Sequence, residues 1–341
     1  MAKSIGTKEY AAVDIFKFLC AVLVIIIHTK PFENVFWIDA AFGVITRFAV
    51  PFFFVSSSLF LFMKIESNPQ SAGAIYKKYF IRLLRFYLIW YIIFNISSAL
   101  DGYCYDVLYY VKQFFFNTSG SPLWFVCALL WSSAIVYVFN KYCSKRIIMI
   151  ISLILFAIGY VFSTLQPLFA SNEVFKYINE NIISIVGTQN GFFFGMPYVA
   201  MGCAFANHKF KKNYFRDIFG IVMCMVLLMA ESLLCVKVVG STLTYLWIAA
   251  IPMTYFTVRL MMTIDIPSDF NFYFMRKSST LIYVFHVLLL KVVKNAIAIY
   301  GITDPYNLIC FFGTLTIAIV SAGLIVKLSE YKCLKFLKYI M

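Results

Sequence analysis

The stretch VDIFKFLCAVLVIIIHTK, Val13 to Lys30, constrains the chain most, because it is long and apolar enough to cross a membrane while carrying an ionisable group near each end. About 18 to 20 residues at roughly 1.5 Å each span a bilayer core of about 30 Å, and no helix breaker comes before Pro31. Lys17 and His28 are eleven residues apart, which at about 100° per residue brings them back to nearly the same azimuth after three turns. Asp14, Lys17, Ala21, Val24 and His28 therefore form one stripe of polar and small side chains. Such a stripe faces protein or water rather than lipid. Lys3 and Lys8 precede the run as in a signal peptide, yet its length and the lack of a small-residue cleavage site mark it as a retained span.

Composition extends this reading to the whole chain. Of 341 residues, 62% are hydrophobic and 13% charged, about half the charge of an ordinary soluble domain. Ten apolar runs follow, at about 12-29, 42-62, 80-100, 122-140, 147-165, 191-207, 217-236, 243-263, 279-300 and 306-328. They predict an all-α, polytopic membrane helix bundle of about ten transmembrane helices, forming a single membrane domain over 1-341 with no soluble appendage. The net charge of +14 would suggest nucleic acid in a soluble protein. Here the basic residues gather in alternate connections: Lys77, Lys78, Arg82 and Arg85; Lys141, Lys145 and Arg146; Lys209, Lys211, Lys212 and Arg216. By the positive-inside rule those connections are cytoplasmic, both termini with them, and no nucleic-acid partner is expected. The nine cysteines stand singly, without metal-ligand spacing, so neither a disulfide framework nor a metal site is implied. The tail YKCLKFLKYIM reads as an amphipathic surface segment or as a frayed end.

Ionisable groups within spans are expensive and mark where function concentrates. His28 and His286 each lie in an apolar run, and an imidazole can take a proton from a hydroxyl and return it to a leaving group. Either could equally be a packed histidine bonded to a neighbouring helix. Lys78, Arg82 and Arg85 follow i, i+4, i+7 spacing at the start of the third span, a face suited to a phosphorylated cofactor or to lipid headgroups. Arg47, before Pro51 and the serines Ser56, Ser57 and Ser58, suits a cavity lining or a close helix contact. A serine nucleophile remains open beside packing as the role of that triplet. Glu231 is unassigned.

Taken in order, these motifs resemble the acyltransferase-3 family, bacterial membrane enzymes that O-acylate surface polysaccharides, lipopolysaccharide or peptidoglycan. The resemblance rests on Lys17 and His28 with ten residues between them, on Arg82-Leu83-Leu84-Arg85, and on the run from Arg47 to Phe54. Leu123-Trp124-Phe125, the glycine-bearing run from Phe193 to Gly202, and Ser278, Ser279, Tyr283 and His286 support it. One departure stands out, because Ser57 occupies the place of the family's glycine after the serine of the second span. The chain also resembles the membrane half of VanT-type serine racemases, assigned to amino-acid supply, which keeps a transporter of a small solute or amino acid as the alternative. A lipid-binding structural protein is the third class considered.

The resemblance implies acetyl-CoA or another acyl-CoA as donor, a surface glycan hydroxyl as acceptor, and O-acetylation in a bacterial plasma membrane. It implies His28 as general base or acyl carrier, with His286 and Arg47 orienting the reacting group or stabilising an oxyanion. Lys17, Lys78, Arg82 and Arg85 would bind the donor phosphates.

Overall fold

A computed structural model describes residues 10–116, 121–240, 246–266 and 272–341. Lys3 and Lys8, and residues 243–245 at the head of the eighth expected span, lie outside the described residues. The principal helices are α1 (Ala11–Thr29), α2 (Phe36–Thr46), α3 (Ala49–Ser67), α4 (Ala72–Leu100), α5 (Val107–Phe116), α6 (Trp124–Tyr142) and α7 (Lys145–Ser163). Then come α8 (Met196–Phe205), α9 (Tyr214–Val239), α10 (Ala250–Thr263), α11 (Tyr273–Ile299) and α12 (Leu308–Leu328). Among the described residues there is no strand.

Each expected run becomes a helix, but not each helix has the same reach. Among the described residues eight segments are long and apolar enough to cross a bilayer, α2 and α3 counting together as one. The sixth run gives a π-helical turn at Gly191–Gly195 leading into α8, and the eighth gives α10. At 14 or 15 residues each, these two cover about 21 to 23 Å, short of a bilayer core of about 30 Å. For α8 the reason is burial on all sides: Met196 through Cys203 and Phe205 are all covered by protein. A helix apolar all round belongs at the centre of a bundle, and α8 lies there against α3, α6 and α7.

Around that centre, α1 packs on α11 and α3, and α11 packs on α12. The outer helices turn large apolar side chains outward, among them Ile92 and Ile96 on α4, Ile150 and Ile154 on α7, Val226 and Leu227 on α9, and Val320 and Leu324 on α12. This is a surface for lipid, and the protein is a multi-pass membrane protein. α2 and α3 would form one continuous helix but for Pro51. A proline has no N–H for the carbonyl four residues back, and its ring crowds that carbonyl. The carbonyl belongs to Arg47, and the chain bends there, between Thr46 and Ala49.

α3 and α8 approach each other closely at Gly202. A Cβ on Gly202 would lie 2.0 Å from Ser58 Oγ, 2.7 Å from the Val55 carbonyl oxygen and 2.8 Å from the Leu59 nitrogen. Only a residue without a side chain lets the two backbones meet like this.

The His28 end is tied by loop contacts. Phe32 N–H donates to the Tyr306 carbonyl at 2.8 Å, and Asn307 Nδ2 donates to the Lys30 carbonyl at 3.1 Å. Asp304 Oδ2 accepts from the Cys310 N–H at 2.9 Å and so caps α12. Burial pushes the Asp304 carboxyl up, but backbone N–H groups of Cys310, Ile309 and Leu308 outweigh it and hold the carboxyl below its ordinary value. A depressed carboxyl stabilises fully above its unfolded pKa and loses that contribution as pH falls through the folded one. Asp304→Asn should therefore flatten the acid limb of a melting-temperature profile recorded between about pH 5 and pH 2. An unchanged acid limb would mean the cap contributes nothing.

Candidate functional site

The imidazoles of His28 and His286 come together from α1 and α11. Their ring centroids are 4.7 Å apart, with the rings inclined at 50°. His286 is fully buried, whereas His28 beside it is exposed. His286 Nδ1 lies 2.5 Å from the Tyr283 carbonyl oxygen, one helical turn back. A carbonyl only accepts, so Nδ1 carries the proton and Nε2 carries the lone pair. That Nε2 is buried without a hydrogen-bond partner. An unpartnered buried acceptor is unfavourable unless something is meant to meet it.

The local setting explains why this ring is held so firmly. Tyr283 OH donates to the Pro122 carbonyl at 3.0 Å, locking α11 to the start of α6. Its ring packs edge-on against Phe53 and Phe125. Phe54, Trp124, Phe194 and Tyr198 continue the aromatic cluster through the middle of the bundle. The motif Leu123-Trp124-Phe125 is thus part of the interior packing beside Tyr283.

At the opposite end of α1, Lys17 stands half-buried with its ammonium over the Phe60 ring, 5.2 Å from the centroid. Nearby, Asp14 is 5% exposed and pairs with the Arg276 guanidinium at 2.7 Å, joining α1 to α11. The stripe does face protein. Lys17 is partly and His28 more fully exposed, but between them Ala21 is 0% and Val24 2% exposed, so among the described residues no water-sized passage follows this face of α1.

Lys78, Arg82 and Arg85 are all exposed on α4. Arg82 lies over the Tyr79 ring at 5.8 Å, and Tyr79 in turn shares a hydrogen bond with Ser57 at 3.0 Å. The Ser57 side chain, standing where the resemblance expects glycine, therefore bridges α3 to α4 beneath Arg82. The tight helix approach falls one residue later, at Ser58, where Gly202 of α8 supplies the missing side chain's space. Ser56 and Ser58 return their hydroxyls to carbonyls of their own helix, which is the behaviour of packing serines.

Arg47 is placed elsewhere. Its guanidinium lies over the Trp247 ring at 4.6 Å, in a small recess that Gly43, Val44, Leu228 and Ser232 also line, on the α2 and α9 side. Glu231 closes the same region by accepting from the N–H groups of Ile248 and Ala249 at 2.9 and 3.1 Å, capping the approach to α10. Among the described residues no group of three or more His, Cys, Asp or Glu is placed to hold a metal ion.

Comparison with known proteins decides the family. The Acyltransferase domain family, acyltransferase-3, matches residues 10–327, nearly the whole chain. This chain belongs to the acyltransferase-3 family. The chain is also similar to two proteins of Enterococcus faecalis, each named amino-acid racemase. One is 27% identical over 221 residues, covering 61% of this chain and 30% of that protein. The other is 24% identical over 212 residues, covering 59% and 29%. The matched part thus spans less than a third of the length of these relatives. No solved structure matches the chain.

Sequence reasoning singled out both histidines, which the structure brings together, and Lys78, Arg82 and Arg85, which it leaves exposed on α4. It missed three partnerships. Asp14 and Arg276 were each visible as ionisable residues in or beside an apolar run, a signal that could have paired them. Nothing in the sequence pointed from Ser57 to Tyr79, or from Glu231 to the backbone before α10.

Proposed function

We propose that this acyltransferase moves an acyl group, acetyl being the simplest, from acyl-CoA to a hydroxyl of a cell-surface glycan. The donor binds at the Lys17 end through Arg82, Arg85, Lys78 and Lys17, which we assign to the cytoplasmic side of a bacterial plasma membrane. The acceptor meets His28 at the opposite face. The observation that carries this reading is the buried, unpartnered Nε2 of His286 beside the exposed His28 ring.

His28, with His286 fixing its setting, takes the proton of the acceptor hydroxyl as the oxygen attacks the thioester carbonyl. The carbon–sulfur bond then breaks, and the proton passes to the departing thiolate, leaving an ester and free CoA. The cations at the other end bind phosphate through charge-assisted hydrogen bonds, for which a guanidinium is well shaped. Lys17 and His28 are separated by about 17 Å of helix. Because Ala21 and Val24 seal the face between them, α1 has to part from α3 or α11 before the donor's thioester reaches the histidines. Arg47 is assigned no direct contact with the reacting atoms.

The purified protein is incubated with labelled acetyl-CoA and a bacterial surface polysaccharide. Label in the polysaccharide with stoichiometric release of CoA is the expected result. A protein that moves solute across vesicles while leaving acetyl-CoA intact would remove this reading in favour of transport.

A further inference from the structure

The Lys17 end holds more cations than the α4 motif supplies. The tail, a 3-10 helix over Lys332–Ile340, reads Lys-Cys-Leu-Lys-Phe-Leu-Lys-Tyr-Ile, a repeat of three. At three residues per turn, members of one register stand in a row. Lys332, Lys335 and Lys338 form an exposed row, and Leu334, Leu337 and Ile340 form a half-buried one. The tail is fastened to α4 at two points. Trp90 Nε1 donates to the Ile340 carbonyl at 3.3 Å, and the Tyr339 ring lies 4.5 Å from the Arg85 guanidinium.

In this docked position Lys338 stands within electrostatic range of Lys277 at the start of α11, as do Arg82 and Arg276. Asp14 is buried and engaged by Arg276. Among the described residues, no ion pair joins Arg82, Arg85, Lys277 or Lys338 to a carboxylate. Like charges gathered from three separate elements repel one another, and an anion between them reverses the sign of the interaction.

We propose that Lys277 of α11 and Lys338 of the tail complete, with Arg82, a binding site for phosphate groups, and that Arg85, placed above among the donor-binding cations, also seats Tyr339 and so the tail. The proposal rests on the donor reading above only for the source of the phosphate, which is CoA there and a lipid headgroup otherwise.

The test titrates the full chain, in nanodiscs of zwitterionic lipid, with CoA. Lys277→Gln and Lys338→Gln should each weaken binding about tenfold or more, the scale of one lost hydrogen bond to a charged group, while Lys338→Arg keeps it. Arg85→Gln should also open the tail to trypsin at Lys335 and Lys338, which Arg82→Gln should not. Unchanged CoA affinity in both lysine variants, beside a weakened Arg82→Gln, overturns the proposal. Discs containing phosphatidylglycerol separate the sources. If the wild type ignores CoA but retains phosphatidylglycerol better than the lysine variants do, the phosphate site stands and the donor reading falls. If neither phosphate ligand separates wild type from variants, the proposal falls.

Discussion

His28→Ala should lower acyl transfer by about 10²- to 10⁴-fold, the usual worth of a positioned acid–base group, with little change in melting temperature. His28 is exposed, so trimming it disturbs little of the packed interior. The companion His286→Gln keeps a side chain of similar reach in the buried site but removes the ring that lies 4.7 Å from His28. Residues acting as a unit are strongly non-additive. The double variant should therefore be little slower than His28→Ala alone. Initial rates with labelled acyl-CoA, at saturating donor, measure all three. A His28→Ala protein working at the wild-type rate would end the assignment, and fully additive losses would show that the two rings act independently.

Gly202→Ala should be strongly destabilising for a single added methyl. The added Cβ would meet Ser58 Oγ at 2.0 Å, but it would also meet backbone of α3 at Val55 and Leu59, at 2.7 and 2.8 Å. A side chain can rotate away; a helix backbone has to move as a body. Overpacking of this kind costs about 1 to 3 kcal/mol, occasionally more, and backbone contacts belong at the upper end. Adding Ser58→Ala removes the hydroxyl overlap and should restore only part of the loss. Melting in detergent reads both variants. A Gly202→Ala protein as stable as the wild type would show that α3 and α8 sit farther apart than described, and full rescue by Ser58→Ala would show that the hydroxyl alone sets the contact.

Much of the architecture could be read in advance because a bilayer leaves a chain few choices. Backbone polar groups have no water to meet in hydrocarbon, so each long apolar run has to be a helix. The runs at 12-29 and 306-328 match α1 and α12 to within two residues. The pairing of Lys17 with His28 on one face followed from helical periodicity alone. The tail, read as an amphipathic segment or a frayed end, is a 3-10 helix fastened to α4.

What escaped the sequence has a common physical character. Hydropathy measures how apolar a segment is, not which solvent it meets, so it could not separate a helix sheathed in protein, such as α8, from one sheathed in lipid, such as α9. The bend at Arg47 was signalled by Pro51, but its consequence, an arginine turned onto Trp247 two hundred residues away, was not.

The sequence by itself determined that this chain is a membrane bundle, which residues carry charge inside it, and that Lys17 and His28 share a face, since all three follow from local hydropathy and helix geometry. Only the tertiary structure decided that His28 meets His286, that Asp14 is claimed by Arg276, and that the face between Lys17 and His28 is sealed at Ala21. These are contacts between α1 and helices distant in the chain. Their distances depend on how closely whole helices pack, a quantity set by small residues such as Gly202 acting across an interface and not written in any single segment.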